Sequence, residues 1–312
     1  MPHRTAGPFF IVLAVGGLFA ALSASAFGPF GQADIKVDTT LVVIPVTVTD
    51  AQNRFVLGLE KNDFTLSEDN VEQKVTQFAG ENAPISAGLL VDTSGSMGAK
   101  IDISRDAVTQ FLKTMDLHDE ACLIEFGDRA QVIADFSKDI ELLRSKLSTI
   151  EPQGLTALLD AVSLGLQEMH QARNTRKALI IISDGGDNNS RYSQAEIKDL
   201  VRQADVQVYS MGVFERFPML ALSIAEASGP KLLAQLSDQT GGRVFSASNS
   251  TDLPAIAARI GIELRNQYVL AYVPSNRKKD GKYRHVEVKV KAAPGLSAFK
   301  VRWRLGYYAP TQ

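Results

Sequence analysis

The chain has 312 residues, 45% of them hydrophobic, and a formal net charge of -2. This length supports a large core and more than one domain. The near-neutral charge and the lack of a dense Lys/Arg run argue against a nucleic-acid-binding surface. The single cysteine, Cys122, excludes an intrachain disulfide, and the four histidines are scattered without metal-ligand spacing.

The N-terminus has the pattern of a secretory signal peptide. His3 and Arg4 precede an apolar run from Pro8 to Leu22, and Ala24-Ser25-Ala26 supplies the small residues of a cleavage site. We therefore predict a signal peptide over residues 1–26 and export to a periplasm or the cell exterior. The run is short for a membrane span of about 20 residues, and an uncleaved anchor is the alternative. No later segment is long and apolar enough to span, so we expect no membrane span in the mature chain.

Residues 35–80 have the pattern of an all-β segment. The stretch from Thr40 to Asp50 is rich in β-branched residues, and Phe64 to Ser67 alternates apolar and polar side chains. The stretch from Val71 to Phe78 indicates one further strand. This segment has too few strands to close a core alone.

Residues 84–266 alternate strands with helices. Ile85 to Val91 and Ala178 to Ser183 are continuous apolar runs, as expected of strands buried on both faces. Between them, apolar residues recur at the spacing of an amphipathic helix around Val108, and again in a helix predicted to begin just after Gly154. The pattern predicts an α/β fold with a Rossmann-like, doubly wound, mostly parallel sheet and helices on both faces.

The pattern returns to β over residues 268–310. Three strands are predicted there, over Tyr268 to Val273, Tyr283 to Ala292, and Lys300 to Tyr308. Two incomplete β segments therefore flank a complete α/β domain. We expect them to pair into one small β-sandwich, with the α/β domain inserted between them.

Oxygen-bearing side chains gather where the buried strands end. Asp92 ends one apolar strand and Asp184 ends another, so both carboxylates are expected on the same rim of the sheet. Ser94 and Ser96 follow Asp92 at alternate positions, and Thr156 can reach this rim from the start of a helix. Two carboxylates and three hydroxyls are hard ligands, which suit Mg²⁺, Mn²⁺ or Ca²⁺ better than zinc.

This set resembles the metal-ion-dependent adhesion site of von Willebrand factor type A domains. Asp92, Ser94 and Ser96 match its Asp-x-Ser-x-Ser motif, with Thr156 and Asp184 at the matching later positions. The resemblance covers roughly residues 84–266. The flanking β segments look like those of bacterial secreted proteins that carry such a domain, and the inserted arrangement is similar to integrin β chains in architecture alone.

The resemblance implies a function in binding. In such domains the two serines and the threonine tend to bind the metal directly, while the aspartates act partly through water. The bound ion, for which we expect Mg²⁺ first, would keep an open coordination position that a Glu or Asp of a partner protein could fill. We therefore expect a protein ligand, no nucleic acid and no enzymatic activity.

Three other functions fit parts of the pattern. A Mg²⁺-dependent phosphatase of the haloacid dehalogenase type would need a second carboxylate at position 94, where Ser94 cannot act as a general acid. A serine hydrolase elbow around Ser96 would need glycine at that same position. A structural exported domain, with a metal that only stabilises the loops, is the alternative that the residues leave open.

Overall fold

A computed structural model describes residues 41–80, 82–213, 224–247, 249–291 and 299–311. The predicted signal peptide over residues 1–26 lies outside the described residues. The described chain begins with four strands: β1 (Val42–Thr49), β2 (Phe64–Glu68), β3 (Val71–Gln73) and β4 (Val75–Ala79).

Strands and helices then alternate along the chain, as the sequence predicts. The elements are β5 (Ile85–Asp92), α1 (Ile101–Leu112), β6 (Glu120–Phe126), β7 (Ala130–Ser137), α2 (Ile140–Leu147), α3 (Leu158–Glu168), β8 (Arg176–Ser183), α4 (Gln194–Gln203), β9 (Gln207–Val213), α5 (Ile224–Gln239), β10 (Val244–Ala247) and α6 (Leu253–Arg265). Four strands follow them: β11 (Tyr268–Tyr272), β12 (Tyr283–Val290), β13 (Lys300–Trp303) and β14 (Gly306–Tyr308).

The central strands form a six-stranded sheet in the order β10-β9-β8-β5-β6-β7. All neighbours run parallel except β6 and β7, which are antiparallel. Every residue of β5 is buried, as its continuous apolar run predicts. Apolar side chains of α1, α2 and α6 cover one face, and those of α3, α4 and α5 cover the other. The predicted doubly wound α/β fold is confirmed.

The flanking strands form two four-stranded sheets. Their orders are β13-β1-β11-β4 and β14-β12-β2-β3, so each sheet combines strands from before and after the α/β layer. Side chains of both sheets, including Ile44 and Leu66, share one apolar core. The predicted β-sandwich is therefore confirmed, and neither β segment could form it alone.

Two predictions of single strands are wrong. The stretch from Val71 to Phe78 is divided at Lys74 into β3 and β4, which belong to different sheets. The stretch from Lys300 to Tyr308 is likewise divided into β13 and β14 of different sheets. In both places the chain crosses from one sheet of the sandwich to the other, which a local alternation pattern does not reveal.

The two connections between the sandwich and the α/β layer lie side by side. The chain passes from β4 into the α/β layer and returns from the layer into β11, which pairs with β4. The backbone N–H of Asn82 donates to the carbonyl oxygen of Arg265 at 2.9 Å, which ties the two crossings together. Both crossings are at the amino ends of the parallel strands, so the opposite rim stays clear of the sandwich connections.

Candidate metal centre

Asp92 ends β5 at the rim where the strand order reverses, since its strand neighbours are β8 and β6. The side chain is fully buried. Its Oδ1 accepts a hydrogen bond from the Ser94 N–H at 2.9 Å, and its Oδ2 accepts one from the Ser183 hydroxyl at 2.6 Å. The hydroxyls of Ser94 and Ser96 lie 3.1 Å apart. The loop therefore gathers one carboxylate and two hydroxyls, as the spacing predicts.

Backbone hydrogen bonds join this loop to the one that carries Thr156. The N–H of Gly95 donates to the carbonyl oxygen of Gly154 at 3.0 Å, and the N–H of Gln153 donates to that of Thr93 at 2.7 Å. Two loops far apart in sequence are thus held together at the rim by backbone groups, which do not depend on the side chains.

Thr156 lies in a loop and not in a helix. The predicted helix opening after Gly154 is wrong in its start, because α3 begins at Leu158. Gly154 adopts a φ of 79°, a left-handed conformation that favours glycine and turns the chain away from helix. Thr156 itself is buried, and its N–H donates to Oδ1 of Asn188 at 2.8 Å.

The loop after Asp184 supports the start of α3. Asp187 Oδ1 accepts hydrogen bonds from the Ser190 hydroxyl at 2.5 Å and from the Leu159 N–H at 3.3 Å. Asn188 is exposed, as expected of a solvated loop, yet its side chain also fixes the backbone of Thr156. These residues position the rim, and we do not assign them to the metal.

Asp184 directly follows β8 and faces the charge of Asp92. The pKa of the Asp92 carboxyl is raised from 3.8 to about 6, mainly by burial and to a smaller extent by the neighbouring Asp184 charge, against hydrogen bonds from Ser183 and Ser94 that lower it. Two acidic groups are therefore held together where at least one is costly to ionise without a nearby cation.

Sequence reasoning missed two residues of this rim. Ser183 looks like the polar end of a strand, but its hydroxyl also accepts the N–H of Gly185 at 2.9 Å and so orients the loop beside Asp92. Lys100 looks like a surface lysine, but its Nζ lies 3.9 Å from Asp184 Oδ2 and its side chain is only 11% exposed. Neither Ser183 nor Lys100 belongs to a sequence motif that would have identified it as part of the site.

The donor set fits a hard divalent cation. The described residues contain no group of three or more His, Cys, Asp or Glu that could hold a metal. The candidate site instead depends on two carboxylates with serine and threonine hydroxyls, which are oxygen donors suited to Mg²⁺. Hydrogen bonds link Asp92, Ser94 and Ser96, charge couples Asp184 to Asp92, and the bonded loops bring Thr156 to the same rim.

The comparisons with known proteins identify the class. Residues 88–186 match the sequence model of the von Willebrand factor type A domain family. The chain therefore carries a von Willebrand factor type A domain, and the family predicted from Asp92 and its partners is confirmed. This match identifies the domain and leaves metal binding as a prediction.

Two curated relatives and two solved structures are similar to parts of the chain. A protein of Borreliella burgdorferi described as uncharacterized is 23% identical over 207 residues, which are 60% of each chain. Inter-alpha-trypsin inhibitor heavy chain H4 of Sus scrofa is 26% identical over 132 residues, 39% of this chain and 14% of that protein. The chain thus spans less than two thirds of the length of either relative.

The structure of a von Willebrand factor type A protein from Catenulispora acidiphila matches with a TM-score of 0.51 and 11% identity, over 88% of this chain and 75% of that one. This likeness shows the fold alone. The vWF domain of the type V pili tip protein Mfa5 from Porphyromonas gingivalis matches with a TM-score of 0.47 and 13% identity, over 59% of this chain and 97% of that one.

Proposed function

We propose that the protein is an exported binding protein that holds a partner protein through a divalent metal at the rim of its von Willebrand factor type A domain. The observation that carries this is the buried Asp92 and the partly buried Asp184 beside the paired hydroxyls of Ser94 and Ser96. Such a set of hard oxygens suits Mg²⁺, with Mn²⁺ and Ca²⁺ as alternatives.

The role of each residue follows from its charge. Asp92 and Asp184 together balance the two positive charges of the ion, and the hydroxyls of Ser94, Ser96 and Thr156 add donors without adding charge. Because the other three donors are neutral hydroxyls and not further carboxylates, a bound ion would stay electrophilic enough to accept a carboxylate oxygen from a Glu or Asp of the partner. Ser94 supplies no second acid for proton transfer, which favours binding over catalysis.

The export part of this proposal rests on the apolar run before Ala26 and its small-residue cleavage pattern. Within the described residues, no helix has both the length and the apolar character that crossing a membrane requires. Secretion of a fusion of residues 1–40 to a reporter enzyme would test it, and a reporter that stayed inside the cell would contradict it.

The test of function combines metal binding with partner capture. Mature wild-type protein and Asp92→Ala are compared by calorimetric titration with Mg²⁺ and by pull-down from the native extracellular or periplasmic fraction, with and without chelator. We expect wild type, and not Asp92→Ala, to bind Mg²⁺ and to retain a partner that chelator releases. Asp106→Ala, an exposed acid on α1, is the matched control and should behave as wild type.

The alternative, a metal that only stabilises the loops, gives a different result. Chelation would then lower the melting temperature, as it would for any bound metal, but partner capture would be the same with and without Mg²⁺. Capture that is unchanged in both Asp92→Ala and chelator would reject the metal-dependent binding that we propose.

A further inference from the structure

Lys100 lies at the metal rim in an unusual setting for a lysine. It is the last residue of the short 3₁₀ turn Gly95–Lys100, which begins directly after Ser94. Its side chain is 11% exposed, and that of Asp184 is 13% exposed. Lysine is almost never buried to this degree without an acidic partner, and one acidic neighbour of Lys100 is the proposed metal ligand Asp184.

The geometry of the pair indicates a charge contact. The Nζ of Lys100 is 3.9 Å from Asp184 Oδ2, which is longer than a hydrogen bond between an ammonium and a carboxylate. At this distance the ammonium still offsets much of the carboxylate charge in a partly buried site. The four-carbon stem of lysine also lets the ammonium move away when another cation arrives.

We propose that Lys100 is a built-in counter-cation of this centre. In the metal-free protein it partly neutralises Asp184, and through it the acidic pair with Asp92. When a divalent ion binds, the same positive charge opposes it, so Lys100 lowers the affinity of the site for the metal. The inference rests on the proposed metal site. It adds that Lys100 sets the concentration of free divalent ion at which the site fills.

The test replaces the charge while keeping the length of the side chain. Lys100→Met is compared with wild type and with Lys113→Met, an exposed lysine that follows α1. Mg²⁺ affinity is measured by calorimetric titration, and melting temperature is measured in chelator and in saturating Mg²⁺. We expect Lys100→Met to bind Mg²⁺ at least tenfold more tightly, and to melt lower than wild type in chelator.

The two melting measurements separate this role from a structural one. Loss of a counter-cation lowers stability without metal and enlarges the gain on metal binding, whereas simple loss of packing lowers stability equally in both conditions. If Lys100→Met does not fold, Lys100→Gln provides the same comparison with a polar neutral side chain. Lys113→Met should match wild type in both measurements.

Two results would overturn the inference and would be distinguishable from each other. Wild type that binds Mg²⁺ with the same or higher affinity than Lys100→Met would reject the counter-cation and leave the metal site standing. Wild type and Lys100→Met that both fail to bind Mg²⁺, Mn²⁺ and Ca²⁺ would reject the proposed metal site together with this inference.

Discussion

At the scale of single residues, Asp92 couples the stability of the metal-free protein to pH. Burial raises its pKa from 3.8 to about 6, so the native state keeps a proton that the unfolded chain releases. Stability should therefore fall as the pH rises from about 4 to 6, by up to roughly 3 kcal/mol.

Asp92→Asn should lack this dependence, because the amide cannot ionise. Its stability relative to metal-free wild type should increase across the same pH range, as measured by urea denaturation of metal-free protein between pH 4 and 7. A difference between the two proteins that does not vary with pH would contradict burial as the cause of the raised pKa.

A fixed order of residue types can be recognised in a sequence, and this explains why the grouping of Asp92, Ser94 and Ser96 was predicted, while their binding of a metal stays a prediction. Asp92, Ser94 and Ser96 were predictable because the loop follows an apolar run at the end of a strand. Ser183 and Lys100 were not, because their roles come from neighbours distant in the chain. The contact of Lys100 with Asp184 exists only once a turn and a strand end meet in the fold.

At the scale of elements, the end of α6 is fixed by a buried arginine on β8. The Arg176 guanidinium donates to the carbonyl oxygens of Leu264 at 2.7 Å and Gln267 at 2.9 Å. It is 1% exposed, and burial lowers its pKa to about 10, which leaves it charged at neutral pH. Arg176 thus supplies donors to carbonyl groups that have no partner within the helix, and so holds the C-terminal end of α6 where the chain passes into β11.

Arg176→Met should lower the free energy of unfolding by about 3 kcal/mol or more, because it leaves buried carbonyl groups without donors. Urea denaturation measures this change. The control is Arg191→Met, whose side chain is 89% exposed beside Asp160 and which should cost less than about 1 kcal/mol. Equal losses in the two variants would show that Arg176 does not anchor α6.

Strands and helices that keep one burial pattern along their length were predictable from the sequence, whereas stretches in which the chain passes from one sheet to another were not. The buried run from Ile85 and the amphipathic helices keep one pattern along their length. The strand from Val71 continues its alternation through Lys74 while the chain moves to the other sheet. The start of α3 depends on Gly154, whose positive φ follows from loop contacts and not from periodicity.

At the scale of the whole molecule, the sandwich requires both ends of the described chain. Strand β1 lies between β11 and β13, and β2 pairs with β12. A chain truncated after Gln267 should therefore lose hydrogen-exchange protection over residues 42–49 and 64–68, compared with the full chain. Exchange mass spectrometry measures this, and unchanged protection of those residues would show that the N-terminal segment folds independently.

The pairing of β1 with β11 also determines how the molecule bears a mechanical load. Val42 pairs with Tyr272 and Val46 with Tyr268, so the chain enters β1 at one end of this antiparallel pair while the α/β layer attaches at the other. Tension between Leu41 and a partner bound at the proposed metal site would pull the two strands along their length in opposite directions. Their hydrogen bonds are perpendicular to the strands, so they would be sheared together and not opened one by one.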